Sequence, residues 1–443
     1  MPGGKGCFRD AIFSSTFRRF AVNSAAMLIN FKSFGIAALA LATTAVASDW
    51  PCWRGPWLNG VSDEANIPTY WSSGTNGTRN IAWKTALSGW GHSSPVIWGD
   101  RVFVTTYVEE GNKRDLLCLD RRSGKMLWEK TVLTSPPEKM NRLNSRASGT
   151  PATDGRRVWV AFLQTPNIVI ACYDMDGKEL WRKSPGTFAS KHGFCSSPVL
   201  YKDLVILNCD QDDVAWIVAY EKETGVERWR TDRPNRTRSY CTPIITEAAG
   251  KTQMVLSGSK CVASYDPATG RQYWLMDGPT EQFVASPVLA EGIFFITGGF
   301  PEHHFVGIRP DGKGNITQTH IAWREKLDAK AVSYVPSPVA CGPYFFVVSD
   351  MGYASCLEAK TGKCLWREKL GRHHWPSPVR VGNLLYFLDD DSNTCVVKAA
   401  PKFELVARNP LGEDKESCYA SPAISRGQIF IRTLGNLYCI GKP

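Results

Sequence analysis

The sequence predicts an all-β chain folded as an eight-bladed β-propeller, with four-stranded antiparallel blades closed by N- and C-terminal strands that share the last blade. Three observations predict it. A tripeptide of a small residue, Ser or Thr, then Pro recurs eight times; a turn phrase ending in tryptophan recurs between the copies; and the first and last segments each match the part of a blade that the other lacks. With 43% hydrophobic and 21% charged residues, 38 Gly, 27 Pro and 16 Trp, the 443-residue composition suits many short strands joined by turns.

The tripeptides are Ser93-Ser94-Pro95, Gly149-Thr150-Pro151, Ser196-Ser197-Pro198 and Cys241-Thr242-Pro243, then Ala285-Ser286-Pro287, Pro336-Ser337-Pro338, Pro376-Ser377-Pro378 and Ala420-Ser421-Pro422. The proline-to-proline steps are 56, 47, 45, 44, 51, 40 and 44 residues, a blade-sized period. Proline has no N–H to give to a ladder, so it fits the first residue of a strand, and it forces the residue before it to be extended. Small residues there suit strands that converge on a narrow axis.

The turn phrase is an acid, then Ser or Thr with Gly, then Trp: Asp120 to Trp128, Glu221 to Trp229, Asp266 to Trp274 and Glu358 to Trp366, with a shorter copy from Asp174 to Trp181. The acid and hydroxyl can bond the turn backbone, and Gly supplies positive φ. Each Trp would open a fourth strand and pack between blades. Its burial is worth roughly 4–6 kcal/mol gross as an upper figure. Trp83 and Trp323 sit in less regular copies.

Closure is legible at the ends. Ile81-Ala82-Trp83-Lys84 matches a fourth strand, and Leu437-Tyr438-Cys439-Ile440 matches a third. Joining them removes the edges of the ring. The positions two residues before the turn acid or its equivalent are Cys118, Cys172, Ala219, Ser264, Gly307, Cys356, Val396 and Cys439. This is a buried third-strand position where Cys serves as a small hydrophobe. Cys195 and Cys241 lie on the funnel side of the ring, where a free or bridged thiol is an alternative.

Three segments result. Residues 1–47 read as a leader and secretory signal peptide, with Lys32, an apolar run from Gly35 to Ala42 and small residues at Ala45-Val46-Ala47; Met27 is a candidate start. Residues 48–80 are a lead-in and 81–443 the propeller. A periplasmic or secreted location follows, with no membrane span in the mature chain. The formal charge of +10 falls to +6 without the leader, and no Lys/Arg run marks a nucleic-acid track. A monomer is expected.

The acid-x-x-Thr-Gly-x-x-x-Trp phrase resembles the repeat of pyrroloquinoline quinone (PQQ) propellers, a group holding quinoprotein alcohol dehydrogenases and BamB-like scaffold proteins of outer-membrane assembly. The resemblance covers about residues 81–443 and is specific for fold. The opening Trp50-Pro51-Cys52-Trp53-Arg54-Gly55-Pro56 is similar to the lead-in of bacterial PQQ-like repeat proteins. Quinoprotein dehydrogenases resemble one another in an adjacent-cysteine disulfide, and this sequence has no Cys-Cys pair. There is little room for their lid insertions, and their calcium and catalytic carboxylates find no matching motif.

In a propeller the loops before the first strands share one face. Residues three to seven before each proline belong there: Trp90, His92, Asn144, Arg146, Lys191, His192, Arg238 and Tyr240 from one half of the ring. The other half supplies Gln282, Tyr334, Arg372, His373, His374, Trp375, Glu416 and Tyr419. This mix of cations, imidazoles and rings suits a small anionic or planar ligand. The adjacent pairs His303-His304 and His373-His374 do not make a shared metal site, because neighbouring strand residues point opposite ways. The expectation is a non-catalytic scaffold that binds a ligand or an envelope protein through a basic, aromatic funnel. The alternative that the resemblance implies is a PQQ-dependent dehydrogenase, with calcium, oxidising an alcohol or sugar.

Overall fold

The computed structural model describes residues 49–73, 78–233, 235–412 and 416–442, so the leader read in residues 1–47 lies outside the described residues. Among the described residues there is no helix, and the strands form eight small sheets. The first blade runs Val96–Trp98, Arg101–Val108, Lys113–Asp120 and Met126–Thr134, each strand antiparallel to the next. Its short inner strand begins just after Pro95, where the missing N–H costs no ladder bond. The other blades repeat this order. The eighth consists of Ala423–Ser425, Gln428–Arg432 and Asn436–Ile440, completed by Ile81–Ala86 from the other end of the chain. The expected closure is thus observed, with Trp83 opposite Cys439.

A belt of hydroxyls explains why Ser or Thr precedes six of the eight prolines. The N–H of Ser94 donates to the Thr150 hydroxyl at 2.9 Å, and that of Thr150 to Ser197 at 3.0 Å. Ser286 donates to Ser337 and Ser337 to Ser377, both at 2.9 Å, and Ser377 donates to Ser421 at 3.0 Å. The N–H of Ser421 returns to Ser94 at 3.0 Å. Extended backbone before proline turns each of these N–H groups out of its own blade. The neighbouring hydroxyl satisfies a donor that would otherwise be buried alone. Between Thr242 and Ser286 the link differs, with the Ser286 hydroxyl donating to the Thr242 carbonyl at 2.5 Å.

Outside the belt, blades are joined by tryptophans. The indole N–H of Trp83 donates to the Arg121 carbonyl, Trp128 to Met175, Trp181 to Lys222, Trp323 to Ala359 and Trp366 to Ala400, all at 2.8–3.0 Å and all onto the following blade. The turn glycine has a second duty here. A Cβ on Gly225 would lie 2.8 Å from the Trp181 ring, and one on Gly270 would lie 2.5 Å from Trp229. Trp274 departs from the pattern and bonds Gln253 of its own blade at 2.9 Å. Packed clusters of β-branched and aromatic residues fill the spaces between blades, and the expected third-strand cysteines Cys118, Cys172, Cys356 and Cys439 are buried in them as free thiols.

The lead-in crosses the end of the axis where the inner hairpins turn. Trp50 pairs with Ile97 of blade one, and the Pro51 carbonyl accepts the Thr153 N–H of blade two. Arg54 donates to the carbonyls of Ser337 and Pro338 in blade six. Val61–Ser62 adds a parallel strand beside Arg380–Val381 of blade seven, and Glu64 accepts the N–H groups of Arg426 and Gly427 in blade eight. One short segment therefore ties five blades together.

Candidate functional site

The residue three before each proline is the inward-facing position at the opposite end of the axis. His92, Ser148, Cys195, Tyr240, Val284, Val335, Trp375 and Tyr419, one from each blade, all line a single cavity of about 200 Å³, joined by Asn141, Leu143, Asn144, His192 and Tyr334. The proline fixes the strand start, so a constant offset from it aims each of these side chains at the axis. Below lies a second chamber of about 110 Å³, lined by the same eight residues, by Ser94, Thr150, Ser197, Thr242, Ser377 and Ser421 of the belt, and by Trp53 of the lead-in.

The upper wall is a run of nearly parallel rings. His92 stacks on Tyr419 with centroids 4.1 Å apart and planes at 11°; Tyr419 follows Trp375 at 6.5 Å and 11°; Trp375 follows His373 at 5.8 Å and 10°. His192 and Tyr240 form a second parallel pair at 5.9 Å and 14°. Tyr334 is held by its own backbone, whose N–H donates to Asp350 at 2.6 Å, while the next N–H, of Val335, bonds the same carboxylate at 3.2 Å. Burial raises the Asp350 carboxyl to about 6 despite these bonds.

The wall carries no fixed charge. None of the residues lining either chamber is Lys, Arg, Asp or Glu. His92 is half-buried, and desolvation together with the positive charge of Arg432 pushes its imidazole down to about 3, so it is neutral. Burial also lowers the imidazole of His192, with Arg238 adding to the effect. The Cys195 thiol is pushed up to about 12 by burial and is not a thiolate near neutrality.

Of the sixteen residues expected on this face, the structure brings seven to the cavity: His92, Asn144, His192, Tyr240, Tyr334, Trp375 and Tyr419. His373 stands one ring behind Trp375, 3.4 Å from Asp390. The cations are held elsewhere or lie outside the lining. Arg146 packs on Tyr107 and bonds the Glu138 carbonyl, and Arg238 pairs with Asp212 at 2.6 Å. Lys191 and Arg372 are exposed and do not line the cavity. The rest support the frame. Trp90 pairs with Tyr107, Gln282 bridges Phe300, and the Glu416 carboxylate accepts from Thr433, Gly435 and Asn436. His374 is 1% exposed with both ring nitrogens unbonded. Cys195, expected on the funnel side, also lines the cavity, whereas Ser148, Val284 and Val335 have neither charge nor aromatic ring to mark them in the sequence. The invariant offset of three was the signal that finds them. Nothing in the sequence places Trp53 under the axis, since the path of the lead-in is set by tertiary contacts.

This donor set does not fit PQQ with calcium. Three carboxylates would meet no cation on the lining, and calcium would meet no carboxylate. Among the described residues no group of three or more His, Cys, Asp or Glu is placed to hold a metal ion.

Comparison with known proteins places the fold. The model of the family described as "Outer membrane protein assembly factor BamB" matches residues 75–142, 112–299 and 315–401. No curated protein matches the chain in sequence. Among solved structures, BamB from Moraxella catarrhalis aligns with a TM-score of 0.55 at 12% identity, covering 81% of this chain and 98% of its own. A europium-containing methanol dehydrogenase aligns at 0.59 and 13%, covering 89% and 98%. The quinohemoprotein alcohol dehydrogenase ADHIIG from Pseudomonas putida HK5 aligns at 0.59 and 10%, covering 89% and 81%. At such identities these likenesses speak for the fold alone.

Proposed function

Because the chain belongs to the PQQ-like propeller family of the outer membrane protein assembly factor BamB, we propose that it is an exported, non-catalytic binding propeller whose funnel takes a small planar ligand or a planar side chain of an envelope protein. One observation carries this reading: a single position of every blade lines one cavity, walled by parallel rings and free of charged side chains. Such a wall offers stacking and apolar contact, and its polar groups are neutral imidazoles, hydroxyls, amides and a thiol rather than carboxylates or cations. Trp53 of the lead-in lines the lower end of the cavity.

The dehydrogenase reading draws on the same fold and on the two alcohol-oxidising neighbours, but it asks the lining for cations and carboxylates that the funnel does not offer. Adding PQQ and calcium to the purified protein separates the two. The binding reading expects no change in cofactor absorbance and no dye-linked alcohol oxidation. A spectral shift with turnover would overturn it. Pull-down from an envelope extract would then compare wild type with Trp375→Ala, and a partner seated in the funnel should be lost.

A further inference from the structure

The lower chamber differs in chemistry from the upper. Each hydroxyl has one hydrogen and two lone pairs. Ser94, Thr150, Ser197, Ser377 and Ser421 each use a lone pair to accept a backbone N–H of the belt. None of the five donates to a protein acceptor among the described residues, so what they hold in reserve is a ring of O–H donors around the axis. The Thr242 hydroxyl, in the gap of the belt, is uncommitted in both senses and lines the same chamber.

Two buried cations flank this ring. Arg54 is 1% exposed and Arg432 0%; among the described residues neither has a carboxylate in salt-bridge contact, and Glu416 acts on Arg432 only from further away. Arg54 bonds the carbonyls of Ser337, Pro338 and Asn59. Arg432 bonds the carbonyls of Ser93 and Thr105, and its Nε and second terminal nitrogen have no partner. Ser337 is a belt residue and Ser93 adjoins another. A buried charge without a contacting counter-charge is costly, even where carbonyls solvate it. The positive field reaches the cavity wall, because Arg432 is among the causes that keep His92 neutral.

We propose that the lower chamber is an anion site, where the belt hydroxyls donate to a small oxyanion or to the single carboxylate of a ligand whose planar body lies between the rings above. Its 110 Å³ is room for a carboxylate or a halide. The anion offsets the charge of Arg54 and Arg432. The carboxylate arm rests on the funnel being a ligand site; the free-anion arm does not.

The test compares sodium benzoate, sodium acetate and sodium bromide with neutral benzamide and benzyl alcohol on the purified protein. Calorimetric titration gives affinities, and anomalous diffraction locates bromide. Thr242→Val removes an uncommitted donor without cutting the belt, and Arg432→Met removes a flanking charge. Benzoate should bind more tightly than benzamide, bromide should lie on the axis beside Ser94 and Thr150, and each substitution should weaken benzoate about tenfold. Should Arg432→Met not fold, Thr242→Val alone decides the matter. Equal binding of benzoate and benzamide, unchanged in Thr242→Val, would remove the anion site and leave the funnel as a neutral binding site. No binding of any probe and no bromide peak would count against both.

Discussion

The backbone N–H of Ser421 donates to the hydroxyl of Ser94 at 3.0 Å, although 327 residues separate them in the chain. This bond joins the last blade to the first at the axis, where the pairing of Ile81–Ala86 with Asn436–Ile440 joins the ends of the chain at the rim. Ser94→Ala leaves the Ser421 N–H buried without an acceptor. The expected loss is about 1–3 kcal/mol, read as a lower urea midpoint, whereas Ser94→Thr keeps the acceptor and should cost less.

The turn glycines separate two kinds of constraint. Gly362 (φ 74°) faces the Trp323 ring so closely that a Cβ would strike it, while Gly382 (φ 56°) has nothing within 4 Å of its added Cβ. Gly382→Ala should cost about 1 kcal/mol for the left-handed backbone. Gly362→Ala should cost about 1–3 kcal/mol more, because the indole must leave its place against the Ala359 carbonyl. Equal losses in thermal melts would mean that the ring contact does not matter.

Arg233 and Asp210, both fully buried, form a two-point ion pair at 2.9 and 3.2 Å that also reaches the Tyr265 hydroxyl and the Gly258 carbonyl. Asp210→Ala strands the guanidinium, and the expected loss is about 3–5 kcal/mol in denaturant unfolding. Replacing the exposed partner of Arg101, Asp176→Ala, should cost under about 1 kcal/mol.

Acid sensitivity is expected from two imidazoles, the buried His374 and the half-buried His92. Burial, then the charges of Lys369, Arg408 and His373, lowers His374 to about 3, and burial with Arg432 lowers His92 similarly. A group whose folded value is depressed contributes stability above its ordinary value of 6.5, and loses it as pH falls towards 3. Asp350 has the opposite sign. Raised to about 6, it contributes stability below 3.8 that is lost as pH rises through 6. His374→Leu, close in volume and without nitrogens to leave unbonded, should move the acid unfolding midpoint to lower pH and leave the midpoint near pH 8 equal or higher. An unmoved acid limb would show that His374 does not drive it.

Much of the ring was legible because its signals are local. A proline fixes where a strand begins, and the residue before it must be extended, so eight tripeptides located eight inner strands. The matching halves at Trp83 and Cys439 revealed the closure for the same reason. The hydroxyl belt was visible only as a preference for Ser or Thr, because its bonds join residues at least forty positions apart. At the site, residue type misled where offset would have served. Arg146 and Arg238 have the chemistry of anion ligands, but Glu138 and Asp212 lie nearer to them than the axis does. Val284 and Val335 have no conspicuous chemistry, yet the blade geometry aims them inward. The cations that flank the lower chamber, Arg54 and Arg432, sit in a lead-in and a second strand, where nothing local distinguishes them.

Native mass spectrometry of the protein purified without denaturant tests the central claim most directly, with wild type compared against Trp375→Ala and the distant Arg101→Ala. The account predicts a small-molecule adduct on wild type and on Arg101→Ala that is released on unfolding and is missing from Trp375→Ala. A wild-type protein that carries no adduct and binds none of the planar probes, or an adduct equally retained by Trp375→Ala, would contradict it.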